Sequence, residues 1–293
     1  LKGGHNAEHH NHNDVGSYVV VVENRPVLLD PGAETYTART FSSRRYESKL
    51  LNSLGHPVPV IAEQLQKAGR KYEAKVLATD LTDKADTLRL DLSAAYDVPG
   101  LKKLERTFVY SREAEGSLTV TDQVQFETPQ SFETALLTRG EWKQQEDGSL
   151  VVYDMDQAVQ VRLTVEGSPF TIEAEQIVED APLNPTRLAI RLTQPVTDAT
   201  VSLVISPATI ITGDQAGVLR NGGFEYGRFC WLLPANGQGE VSDEMAATGK
   251  LSLKIVDPSD KAGSNISSAD MPAEGGVKYV VKGKVYHVSG QGI

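Results

Sequence analysis

Ser117-Leu118-Thr119-Val120-Thr121-Asp122 exchanges a polar for an apolar residue at every step. Side chains along a strand point alternately to opposite faces, so a period of two marks a strand with one face on a core. The same texture recurs at 73–79, 87–92, 104–111, 133–138, 150–153, 159–166, 171–177, 186–193 and 200–205. Glu115-Gly116, Asp147-Gly148, Glu166-Gly167 and Leu183-Asn184-Pro185 punctuate these runs as turns. Upstream, 17–23 and 26–29 flank Asn24-Arg25 as a hairpin. Helical periodicity is confined to 61–67 and 93–96, a turn or two each. So many short strands imply an all-β chain whose main body is a large antiparallel β-sandwich.

The chain has 293 residues, 40% hydrophobic and 23% charged, with a net charge of −10. Nucleic acid is an unsuitable partner, because phosphate binding needs a basic face. An acidic sugar polymer is not excluded, since a cleft can be locally positive on an acidic protein. No apolar run approaches the ~18 residues that span a bilayer, so no membrane partner is expected. Cys230, the single cysteine, forbids an intrachain disulfide. Leu1 stands where an initiator Met would, and histidines begin almost at once, so the chain is expected to be part of a longer one.

The texture changes near Gly213. The expected organisation is a sandwich over 1–212, a polar linker at 213–220 and a second β-domain over 221–293. The last is too short for a self-sufficient sandwich, and its end is expected to be a cut as well.

Five of the six histidines (His5, His9, His10, His12 and His56) lie within the first 56 positions. A purification tag or a solvated loop is the plain alternative, but a tag would be homopolymeric, and this run is interleaved with Asn and Glu. If His10-Asn11-His12 is extended, both rings face one side. The hairpin then returns Asp30 towards His12, and His56 comes from a third segment. Two imidazoles and a carboxylate suit zinc or another divalent metal. Asn13 and Asp14 are candidates to orient the rings from behind.

Gly4-His-Asn-Ala-Glu-His-His-Asn-His-Asn-Asp-Val-Gly-Ser-Tyr18, Pro26-Val-Leu-Leu-Asp-Pro-Gly32, Arg45-Tyr46-Glu47 and Asn52-Ser-Leu-Gly-His-Pro57 resemble the C-terminal sandwich of heparinase II/III-like polysaccharide lyases. The resemblance implies a metal, usually zinc, on His12, Asp30 and His56, with His10 facing the substrate cleft. Pro57 departs from the Asn often found there in this family. It further implies an N-terminal (α/α) toroid carrying the remaining catalytic groups, a secreted or periplasmic location, and β-elimination beside a uronic acid in a glycosaminoglycan, alginate or glucuronan. In that chemistry the C5 proton is only weakly acidic until the carboxylate is neutralised, and a base and an acid complete the set.

Arg39, Arg44, Arg45 and Lys49 form a basic cluster between Asp30 and His56. Arg39 and Arg45 are candidates for a positive wall, and Tyr36 and Tyr46 for stacking on sugars, against solvated loop charge and core aromatics. Tyr110, Asp122, Arg106 and Glu133 fall on strands and are expected to be solvent-facing or paired. Asn221-Gly-Gly-Phe-Glu225, Trp231 and 248–254 resemble the opening of a jelly-roll carbohydrate-binding module, with Trp231 as its candidate sugar-stacking residue. Two other readings compete. A cupin-type metalloenzyme would fit Gly4 and His10-x-His12, yet Gly16 and Ser17 stand where its next Glu belongs. A non-catalytic carbohydrate-binding or structural sandwich fits a chain without a toroid.

Overall fold

The computed structural model describes residues 1–209, 219–233, 238–257 and 265–289. The chain divides into two compact units, Leu1–Thr209 and Ile210–Ile293. Most of the sequence-expected linker lies outside the described residues.

The first unit is built from fifteen strands: β1 (Gly4–Asn6), β2 (Val20–Val22), β3 (Arg25–Leu28), β4 (Val60–Ile61), β5 (Gly69–Leu81), β6 (Ala85–Asp91), β7 (Leu101–Ser111), β8 (Ser117–Gln130), β9 (Phe132–Thr138), β10 (Glu141–Gln144), β11 (Leu150–Asp154), β12 (Gln157–Glu166), β13 (Phe170–Gln176), β14 (Thr186–Leu192) and β15 (Val196–Pro207). Nine of them form one sheet in the order β1-β5-β6-β7-β8-β15-β12-β11-β10, and four form a second, β13-β14-β9-β4. All pairings are antiparallel. A single apolar core draws Leu104, Phe108, Val120, Val124, Val201 and Leu203 from the large sheet and Phe132, Leu136, Leu188 and Ile190 from the small one. The fold is therefore an all-β sandwich.

Alternation explains β8. Val120, Val124 and Phe126 are buried, while Thr119, Thr121, Gln123 and Gln125 take the other face. Strand β9 behaves differently, being buried at all seven positions. Phe132, Leu136 and, through its hydroxyl, Thr134 serve the core side. Ala135 and Leu137 alternate with them on the outer face, buried but outside the main core cluster. The segment around residues 29–58 covers that face. Leu29 N–H donates to Leu137 C=O (2.9 Å), Thr138 Oγ1 donates to Val27 C=O (2.9 Å), and Lys49 pairs with Glu175 (2.7 Å). This covering segment carries most of the candidate site.

Residues 61–67 are not helical. Ala62 and Glu63 have positive φ (49° and 60°), and Ile61 bridges to Gln64 in a tight turn. The 93–96 expectation is met by a 3₁₀ turn, Ser93–Ala95.

In the second unit, β16 (Trp231–Leu232) pairs with β19 (Ser267–Ser268), and β17 (Gly239–Ser242) with β18 (Ser252–Ile255). Trp231 is half-buried, tilted on Phe224 (4.9 Å between centroids), and its indole N–H donates to Asn221 C=O (2.9 Å). No helix among the described residues is long and apolar enough to cross a membrane.

Candidate metal centre

Three segments converge. His12 follows the turn after β1, Asp30 follows β3, and His56 follows a 3₁₀ turn, Ser53–Gly55. Asn52 caps that turn by accepting from Leu54 N–H (2.9 Å). One ligand-capable atom from each of His12, Asp30 and His56 lies within 4.8 Å of the other two. The rings of His12 and His56 are 5.3 Å apart between centroids.

His56 is fully buried, and both ring nitrogens are engaged. Nε2 lies 3.0 Å from Leu50 C=O and Nδ1 lies 2.9 Å from Asp30 Oδ2. A carbonyl only accepts, so Nε2 carries a proton. In the neutral ring Nδ1 then offers a lone pair towards an anionic oxygen. That edge requires a cation between the two acceptors, either a proton or a metal ion. Burial alone would lower the His56 pKa, but the charges of Asp30 and Asp14 and the Asp30 hydrogen bond outweigh it and raise it. Burial likewise would raise Asp30, yet the His56 charge, hydrogen bonds from His56 and Ser17 (3.0 Å) and the Gly32 N–H hold it down to about 2. His12 is lowered to about 4 by burial and by the His56 charge, with Asp30 opposing and Arg45 and Lys2 assisting. A neutral imidazole, a carboxylate and a buried imidazole held by a backbone carbonyl make a donor set that fits zinc.

The structure corrects how His10 was expected to sit. Residues 8–10 turn, and His10 has φ 55°, so the alternation of an extended strand does not apply to it. Its exposed ring instead stacks on Tyr36 (6.0 Å, 9° between planes), which meets Phe41 edge-on (5.3 Å). No protein hydrogen bond occupies the His10 ring among the described residues. Asn13 and Asp14 do not orient the rings by hydrogen bonds. Asn13 donates to Gln66 C=O (3.4 Å) and Asp14 pairs with Lys2, because this stretch is spent on fastening the loop. Ser17 and the Leu50 carbonyl do the orienting; a backbone carbonyl leaves no mark in a sequence.

The basic cluster is not an open positive wall. Arg39 pairs with Glu34 and Glu179, Arg44 with Glu47, and Lys49 with Glu175. Arg45 has no carboxylate partner among the described residues. It faces inward, donating to Asn11 C=O (3.0 Å) and Thr40 C=O (2.9 Å), and so ties the His10–His12 loop down. Tyr46 lies beneath the guanidinium and accepts from Asn11 Nδ2 (3.1 Å) through its hydroxyl.

Comparison with known proteins gives a consistent picture. The family described as Heparinase II/III-like, C-terminal matches residues 1–215. A crystal structure of heparinase III superposes with a TM-score of 0.53 at 13% identity, covering 88% of this chain and 36% of that one. The heparan sulfate lyase of Pedobacter heparinus does so with a TM-score of 0.53 at 14% identity, covering 87% and 38%. A heparinase III gene product gives 0.54 at 11% identity, covering 88% and 37%. These likenesses establish a shared fold, and this chain spans under two-fifths of those proteins. No curated protein sequence matches the chain.

Proposed function

The chain belongs to the heparinase II/III-like C-terminal family, and from that premise we propose that it is the metal-bearing sandwich of a polysaccharide lyase acting on uronic-acid polymers by β-elimination. One observation carries the reading: a ligand triad from three segments sits two residues from an exposed, unbonded histidine. His12, Asp30 and His56 would hold the ion. Zinc bound there supplies a fixed positive charge and cross-links three loops.

The protein's own groups do the rest. Tyr36 stacks on the His10 imidazole, whose exposed ring would meet a substrate carboxylate or proton. Arg45, which has no carboxylate partner among the described residues, contributes positive potential around His12, which favours an anionic sugar nearby. The groups that remove the C5 proton and protonate the departing O4 are assigned to an N-terminal (α/α) toroid domain, in a secreted or periplasmic protein. Trp231 and its unit are assigned an accessory carbohydrate-binding role.

The test uses the longer protein that contains this chain, offered heparan sulfate, alginate and glucuronan while ultraviolet absorbance of unsaturated uronate is followed. Turnover on one of these polymers and its loss in His10→Ala, with thermal unfolding unchanged, is the expected result. Absence of unsaturated product from every polymer, or an active His10→Ala protein, overturns the assignment. His12→Ala should lose zinc and thermal stability together. A second reading, a non-catalytic carbohydrate-binding sandwich, draws on Trp231, half-buried beside Phe224 in the second unit. It predicts retention of these polymers on the protein without product.

A further inference from the structure

Arg106 is fully buried in the middle of β7, where a core aliphatic residue would be ordinary. Its register partner on β8 is Asp122, also buried, and the two meet side by side: Nε to Oδ1 at 2.6 Å and Nη2 to Oδ2 at 2.7 Å. Thr134 on β9, in the opposite sheet, accepts from Nη2 (3.0 Å) and donates to Asp122 Oδ2 (2.8 Å). The pair therefore bridges the two sheets. Tyr18 and Phe108 flank the guanidinium at 5.8 and 6.0 Å.

The remaining nitrogen does something the sandwich does not need. Nη1 donates to two backbone carbonyls, Gly16 (2.8 Å) and Pro57 (2.6 Å). Pro57 is the residue after His56. Gly16 precedes Ser17, whose hydroxyl holds Asp30. One planar, rigid fork thus ties two of the three arms of the triad, those of His56 and Asp30, to the core. We infer that Arg106 is a positioning residue of the metal centre, clamping the His56 and Ser17–Asp30 segments through the Pro57 and Gly16 carbonyls. This rests on the metal reading above, but its geometric content does not.

A buried ion pair is weak evidence of a stabilising role, since its replacement by apolar residues of similar size is often neutral or stabilising. Two variants separate the roles. Arg106→Met combined with Asp122→Leu removes both charges and leaves neither unpaired. Arg106→Lys keeps the charge for Asp122, but a single ammonium cannot also serve both carbonyls. Each is compared with the unaltered chain in three measurements: cooperative thermal unfolding, affinity for Zn²⁺ alone, and the imidazole nitrogen resonances of His56 in metal-free protein.

The expected result is cooperative unfolding in both variants, Zn²⁺ binding weakened roughly 10–100-fold, and loss of the single, doubly hydrogen-bonded His56 signature. If the unaltered chain binds no Zn²⁺ while the variants still lose that signature, the metal reading falls and the clamp stands. A folded variant that keeps the His56 signature, or that binds Zn²⁺ as tightly as an unaltered chain shown to bind it, overturns the clamp.

Discussion

At the scale of single residues, His12 and Asp30 respond to acid in different windows. A histidine whose pKa is lowered in the folded state binds its proton more readily when unfolded, so its contribution to stability is lost as pH falls from about 6.5 towards about 4. Asp30, lowered to about 2, keeps its contribution above its unfolded value of 3.8 and loses it as pH falls from there through about 2. His56, raised, keeps its contribution below its unfolded value and loses it only as pH rises through the folded one. Between pH 6.5 and 4 the His12 contribution is lost, up to about 3 kcal/mol, while Asp14, raised by burial, acts in the opposite sense. Metal-free protein should show a falling urea midpoint across that window, and His12→Asn should flatten it. An equal fall in His12→Asn would assign the acid sensitivity to other groups. The nitrogen positions of His56 follow from Leu50 C=O and Asp30, contacts that no spacing of His, Asp and Asn in the chain specifies.

At the scale of elements, the 3₁₀ turn Ser53–Gly55 delivers His56. Gly55 has no unusual φ; it is needed because the chain passes close by. A Cβ there would stand 2.3 Å from Lys49 C=O and 3.1 Å from Leu50 Cα. Leu50 supplies the carbonyl that holds His56, so Gly55→Ala should displace ligand and orienting group together. Overpacking of this kind costs about 1–3 kcal/mol. The expected outcome is a lower melting temperature and weaker Zn²⁺ binding, with Gly3→Ala, where a Cβ meets nothing within 4 Å, as the unaffected control. Gly55→Ala with unchanged Zn²⁺ affinity would show that the turn does not set the site. Strand elements were legible because alternation is local. The turn at 8–10 and the irregular turn at 61–67 were not, because residue type does not announce positive φ at His10, Ala62 and Glu63, and Ala62 N–H is held from far along the chain by Ser131 C=O (2.9 Å). Gln66, for example, bonds Val15 on both sides of its amide (3.0 and 2.8 Å) and so fixes the chain leading out of the site.

At the scale of the whole molecule, the main apolar cluster runs from Val15 to Ile205, wholly within the first unit. A chain ending at residue 209 should therefore keep the cooperative unfolding transition of the sandwich, with a melting temperature within a few degrees of the full chain, by calorimetry. Loss of that transition would mean that the second unit completes the core. The amino-acid sequence by itself determined the all-β class, the antiparallel strands of the two sheets and the histidine-rich stretch as the place to look, because periodicity and residue chemistry are local properties. The tertiary structure alone decided that β9 is buried on both faces, that residues 8–10 turn rather than run extended, and that Arg39 and Lys49 are neutralised by Glu179 and Glu175 from 140 and 126 residues away. It also decided that Asp122, in the alternating stretch on β8, points inward to Arg106. Backbone carbonyls and long-range charge pairs come together only when the chain closes, and no spacing along the sequence encodes them.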